Sequence, residues 1–426
     1  MKKAIHIVCV VVVIVGLGSP GAVPASAGLR EQKVVACDAG GWDVYGVSVS
    51  GRGVCAIIGA WGGPGSPFVV RRSGGTWREE AKLTASDGVI DNSFGGAVSV
   101  DGDYAIVGSK YDGTLSRWVG SAYIFERNAS EAWPQRAKVL ASDGVRDDWF
   151  GQSVSISGDY AIVGAYGDDD NDEYSGSAYI FERNASGTWM QEAKLLASDG
   201  ASMDHFGCSV SISNNYAIVG AKYNDEKGSN SGSAYIYERQ AGGTWTQKIH
   251  LTALGGTSED RFGYSVSLSG DRAIVGAPSN DSAYIFVRDT GGTWMQQAQL
   301  TASDGGGTSF GWSVAIDGNH AAIGAIYDED NGNDSGSAYI FEQDISGSWT
   351  EIAKVTASDG DVEDLFGWSV SISGDSAIVG AYGNDDVGSN SGSAYIYGNV
   401  PEPATLGMLA LGGLAMLRRR RRGDRV

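Results

Sequence analysis

The sequence predicts an all-β fold, a seven-bladed β-propeller with four antiparallel strands per blade, and three observations predict it. An aromatic residue followed by glycine recurs seven times, at Tyr45-Gly46, Phe94-Gly95, Phe150-Gly151, Phe206-Gly207, Phe262-Gly263, Phe310-Gly311 and Phe366-Gly367. A period of roughly 50 residues marks a repeat architecture, in which each unit must stack on its neighbours to bury its faces. Within each period, short strand-forming segments alternate with turn pairs, and between residues 28 and 397 no segment has helical spacing.

The unit that opens at Phe150 shows the elements in order. Ser153-Val-Ser-Ile-Ser157 alternates with period two and forms the first strand. Ala161-Ile-Val-Gly-Ala165 is a continuous apolar run, which suits a second strand covered on both faces by flanking blades. An acidic loop follows, then Ala178-Tyr-Ile-Phe181 as the third strand, and Trp189 opens the fourth. Gly-Asp, Ser-Gly and Asp-Gly pairs punctuate the gaps as turns. Seven units of four strands fit a propeller, whereas a sandwich would not need seven near-copies.

The last blade requires a different source for its outer strand. The seventh unit stops at Ala394-Tyr-Ile-Tyr397, while Lys33-Val-Val-Ala-Cys-Asp38 aligns with Lys82-Leu-Thr-Ala-Ser-Asp87. The N-terminal strand is therefore expected to close the ring, and residues 28–397 to form one propeller domain.

The order Phe-Gly, Ile-Val-Gly-Ala, Ala-Tyr-Ile-Phe resembles the FG-GAP repeat of integrin α-chain propellers and of bacterial surface proteins. The resemblance implies the same fold and an adhesive, ligand-binding or architectural role. Integrin-type propellers carry a calcium motif between the first and second strands. This chain has only Ser-Gly-Asp or similar there, so that site does not carry over.

The two ends read as targeting segments. Met1-Lys2-Lys3, an apolar run from Ile5 to Leu17, and Ala25-Ser26-Ala27 give residues 1–27 the form of a signal peptide, with signal peptidase acting beside Ala25 and Ala27. In residues 398–426, Pro401, Glu402 and Pro403 precede an apolar stretch from Ala404 to Leu417 and a cluster that begins Arg418, Arg419, Arg420. This tail resembles the PEP-CTERM sorting signal of Gram-negative bacteria. The resemblance implies transient inner-membrane anchoring, cleavage by an exosortase-type enzyme, and a destination at the cell surface, in the outer membrane or outside the cell. A permanent tail anchor is the alternative. The apolar stretch is shorter than the ~20 residues that span a bilayer comfortably.

The net charge is −20 at pH 7. Lys2, Lys3, Arg418 to Arg422 and Arg425 all lie in the targeting segments, so the chain between them is more acidic still, which argues against nucleic acid as a partner. Cys37, Cys55 and Cys208 follow the signal segment, and their places in the repeat put Cys37 and Cys55 on opposite rims, too far apart for a disulfide.

Trp77, Trp133, Trp189, Trp245, Trp294 and Trp349 occupy one repeat position and read as packing. Trp61, Trp118, Trp149, Trp312 and Trp368 break that register and are candidates for stacking surfaces. Asp87, Asp143, Asp199, Asp304 and Asp359 belong to a repeated Ser-Asp-Gly turn. Asp43, Asp148, Asp204, Asp260 and Asp364 precede the aromatic-glycine pair by two residues, with Asn92 and Thr308 in the other blades. These share a rim with the acidic loops between the second and third strands. Hard oxygen ligands in such loops suit Ca²⁺, with Asp168, Asp170, Asp172, Asp328, Asp330 and Asp334 as the expected ligands, and a solvated acidic face as the alternative. No other cofactor is indicated. Asn128-Ala-Ser130 and Asn184-Ala-Ser186 read as turns.

Two functions fit. One is an exported non-catalytic propeller that binds an extracellular protein or polysaccharide or serves as structure. The other is an extracellular polysaccharide hydrolase or lyase with a carboxylate pair among the many acids.

Overall fold

A computed structural model of the chain describes residues 29–38, 40–62, 66–87, 93–113 and 118–399. The signal-peptide assignment at residues 1–27, the sorting-signal assignment at 398–426 save for its first two residues, and the expectation for Asn92 lie outside the described residues. Seven four-stranded antiparallel sheets make up a seven-bladed propeller. Blade three is typical: Ser153–Ser157, Tyr160–Ala165, Ser177–Arg183 and Trp189–Leu195 pair in chain order, with Val154 opposite Val163 and Ile162 opposite Ile180.

The core is a ring of seven hydrophobic clusters, one between each pair of adjacent blades. Ala161 and Val163 enter the cluster shared with Ile106 of blade two, while Ile162, between them in sequence, enters the cluster shared with Phe206 and Val210 of blade four. Alternation along one strand thus feeds two interfaces, which is why the run is apolar at successive positions. Its glycine has a steric cause: a Cβ on Gly164 would stand 2.0 Å from the Gly207 carbonyl oxygen of the next blade. The serines of the inner strands tie blades together. Ser153 Oγ donates to the Gly207 carbonyl at 2.8 Å, and the Ile156 amide donates to Ser99 Oγ at 3.1 Å.

The N-terminal strand Arg30–Val34 pairs with Ser393–Gly398 and completes blade seven, with Lys33 opposite Tyr395 as Lys194 is opposite Tyr179. Gln32 then clasps blade one: its Nε2 donates to the Trp77 carbonyl at 2.6 Å and its Oε1 accepts the Trp77 amide at 2.9 Å. The repeated tryptophans pack between blades, Trp189 edge-on to Tyr104 and Trp245 edge-on to Tyr160. No disulfide joins Cys37 to Cys55. The Asn128 side chain accepts the Ser130 and Ala132 amides, an Asx-type turn that Asn184 repeats. In blade five a short 3-10 turn, Pro278–Asn280, replaces the acidic loop.

Candidate functional site

The residues before each aromatic-glycine pair and those after each second strand share one rim. Its periphery is acidic and its centre aromatic and basic. The periphery is built on strand register. The fourth strand places a lysine opposite the buried aromatic ring of the third, so Lys138, Lys194 and Lys354 lie over the rings of Tyr123, Tyr179 and Tyr339 at 5.1, 5.1 and 5.4 Å. The ammonium then emerges among loop carboxylates. Lys194 Nζ stands 2.8 Å from Asp143, 2.9 Å from Asp168 and 2.6 Å from Asp170. Lys354 Nζ stands 2.5 Å from Asp304, 2.8 Å from Asp328 and 2.6 Å from Asp330. Burial works against the ammonium in both lysines, yet the hydrogen bonds each donates to its three aspartates hold it above the ordinary lysine range. Asp143 and Asp304 are held below the usual carboxylate range, burial being outweighed by their bonds from the lysine and from Tyr179 or Tyr339.

The six expected metal ligands therefore fall into four places. Asp168 and Asp170 converge on Lys194 in blade three, and Asp328 and Asp330 converge on Lys354 in blade six. Asp172 instead accepts the Glu173 amide at 2.8 Å, and Asp334 sits at φ 55° and accepts from Asn333 Nδ2 at 3.1 Å. Oxygens of Asp304, Asp328 and Asp330 lie within 4.8 Å of one another, so this group has the convergence a cation needs, with the lysine at its edge. Asp143 and Asp304, assigned to turn chemistry, prove to be members of these clusters. The lysines escaped notice as site residues, although their recurrence in Ala-Lys-Leu and Ala-Lys-Val at a fixed register was the available signal. Asp148, Asp204, Asp260 and Asp364, expected on the rim, are buried, and each accepts the backbone amide three residues before it at 2.7–2.9 Å.

The centre is the mouth of the axial channel. One residue per blade follows the aromatic-glycine pair there: Val47, Gly96, Gln152, Cys208, Tyr264, Trp312 and Trp368. The preceding residues, Val44, Ser93, Trp149, His205, Arg261, Ser309 and Leu365, all adopt positive φ between 53° and 57°. Of the off-register tryptophans, Trp61, Trp312 and Trp368 line this mouth, and Trp149 stacks beside it on Tyr166 and Tyr174. Trp118 lies apart, half exposed against Tyr111. An aromatic arc runs from Tyr264 to Trp312 (4.7 Å between ring centres), Trp368 (5.0 Å) and Tyr382 (4.4 Å). A second arc joins Trp149, Tyr166, His205 and Tyr223. His205 is pushed down to about 4 by burial and then by the charge of Lys222. The mouth encloses about 470 Å³, within the ~300–1,000 Å³ range of ligand pockets. Ser93 Oγ, Trp61 Nε1 and Gln152 Oε1 are buried there, and Trp149 Nε1 beside it, with no hydrogen-bond partner.

The FG-GAP repeat model matches residues 77–125, 133–181, 189–237, 245–286, 294–341 and 349–397. Each match runs from the fourth strand of one blade to the third of the next, so the six matches leave out only the N-terminal strand and the first three strands of blade one, Val49–Arg52, Cys55–Ile58 and Phe68–Ser73. The PEP-CTERM protein-sorting motif matches residues 399–422. No curated protein matches the chain. Among solved structures, a protein from Lactobacillus plantarum aligns with TM-score 0.51 and 14% identity over 74% of this chain and 86% of that chain, a likeness of fold alone. Saccharomyces cerevisiae Sqt1 aligns with TM-score 0.48 and 11% identity over 83% of this chain and 82% of that one.

Proposed function

The chain belongs to the FG-GAP repeat family and carries a PEP-CTERM protein-sorting motif, and from that premise we propose an exported, non-catalytic propeller that binds an extracellular saccharide at its channel mouth. The sorting motif implies export in a Gram-negative bacterium and processing by an exosortase, with a cell-surface or secreted destination. The aromatic arc Tyr264, Trp312, Trp368 and Tyr382 carries the binding reading, because it lines the mouth with aromatic rings beside unpartnered polar atoms. A sugar presents the complement, an apolar C–H face edged by hydroxyls. The framework strands are near-copies from blade to blade, whereas the mouth position carries six residue types in seven blades, repeated only at Trp312 and Trp368, and binding groups belong on such variable positions of a rigid scaffold.

A glycan array and isothermal titration test the reading. Mature protein should bind one saccharide class, and Trp312→Ala and Trp368→Ala should each weaken it by about tenfold or more while the fold persists by circular dichroism. Binding unchanged in both variants would move the site elsewhere. Hydrolysis or elimination on a panel of neutral and acidic polysaccharides would replace the non-catalytic reading with an enzymatic one.

A further inference from the structure

We propose that the saccharide bound at the mouth is anionic and that Lys110 and Lys222 hold its acidic group; this rests on the saccharide reading above. The charge pattern carries the inference. The chain has net charge −20, and the lysines of the blade periphery are matched to aspartates at 2.5–2.9 Å. At the mouth the rule reverses. Among the described residues, no carboxylate lies within ion-pair distance of Lys110, Lys222 or Arg261, and none lines the cavity. Lys110 lies over the Tyr111 ring at 4.9 Å, and Lys222 lies over Tyr223 and Tyr264, each at 5.0 Å. Aromatic faces thus fix both ammoniums without neutralising them.

Burial holds Lys110 below the ordinary lysine range, and the charge of Lys222 adds to the effect. Two like charges in a partly buried site with no acid between them are unfavourable until a counter-charge arrives. Ser93 supplies an independent sign of a ligand. It is 3% exposed, lines the cavity, and its Oγ has no partner. An acidic sugar answers all three features: its carboxylate or sulfate for the lysines, its hydroxyls for Ser93, Gln152 and Trp61, and its apolar face for Trp312 and Trp368.

The test is isothermal titration of the mature chain with trigalacturonate, its fully methyl-esterified form and a sulfated disaccharide. The ester keeps the sugar rings and removes the charge. Trigalacturonate or the sulfated sugar is expected to bind at least about tenfold tighter than the ester, and Lys110→Met with Lys222→Met to erase that preference. The tighter of the two acidic sugars identifies carboxylate or sulfate. Equal binding of acid and ester, or a preference that survives in the double variant, overturns the charge inference and leaves the saccharide site standing. No binding of any of the three, together with no effect of Trp312→Ala on the array, overturns both.

Discussion

Lys354 Nζ lies 2.8 Å from Asp328 Oδ2, a carboxylate that is itself buried, and the same nitrogen meets Asp304 and Asp330 at 2.5 and 2.6 Å. The chain thereby carries its own cation into the densest group of carboxylates. Asp112, Asp168 and Asp328 accompany Lys138, Lys194 and Lys354, blade four has Asn224 with His250, and blade seven keeps a lysine, Lys33, beside Asn384.

Removing that cation gives the first prediction. Lys354→Met leaves three carboxylates facing one another, so the melting temperature at neutral pH should fall, by about 1–3 kcal/mol in stability terms. Calcium is proposed to bind where the ammonium stood, and a ligand of the folded state raises stability by linkage. Scanning calorimetry should show a larger calcium-dependent rise in the variant than in the wild-type chain. A variant insensitive to millimolar calcium would show that these oxygens do not form a cation site even when vacated.

The blades were legible in the sequence because period-two and apolar patterns report burial directly: Ile162 and Val163 enter clusters on opposite faces, as an all-apolar strand requires. Closure by Arg30–Val34 was legible from Lys33 aligning with Lys82. The clusters around Lys194 and Lys354 were only half legible. The loop acids stand out in the sequence, but their lysine comes from the outer strand and a third acid from the turn after the preceding blade's outer strand. Only stacking brings these three segments together. The mouth was hardest to read, since its members sit at one variable position per blade and mean nothing until the ring places Tyr264, Trp312 and Trp368 side by side.

Closure makes a second prediction. Deleting residues 28 to 38 removes the strand paired with Ser393–Gly398, the Gln32 clasp on Trp77, and the bond from Ser358 Oγ to Glu31 at 2.6 Å. An open sheet edge results, with a tendency to pair with another chain. The melting temperature should fall by several degrees and light scattering should report association. An unchanged transition would refute the closure.

The sorting motif makes a third. If an exosortase processes the tail, intact-mass analysis of the surface form should show a chain that ends before Arg418. Arg418 to Arg422 still attached would make the protein a tail-anchored one.

The last prediction concerns Asp148, a buried acid that has another acid, Asp168, where its counterparts in blades four and seven have an asparagine. Its Oδ2 accepts the Val145 amide at 2.7 Å, while its Oδ1 has no partner. In blades four and seven the equivalent Asp204 and Asp364 accept from Asn224 and Asn384 at 3.1 and 3.3 Å. Blade three has Asp168 in place of that asparagine. Asp148 is consequently pushed up to about 7, first by burial, with the charges of Asp168 and Asp169 adding and Val145 and Lys194 opposing. A carboxyl raised in the folded state binds its proton more tightly there than in the unfolded chain. Its contribution is therefore fully present below about pH 4 and is lost as pH rises through 7. Asp148→Asn supplies a permanent donor toward Asp168 and abolishes that loss. The variant should match the wild type near pH 4 and exceed it at pH 8 by about 1–2 kcal/mol, read as a rise in melting temperature. Parallel pH profiles for the two proteins would mean that Asp148 titrates as an ordinary carboxylate and that the acid pair of blade three carries no strain.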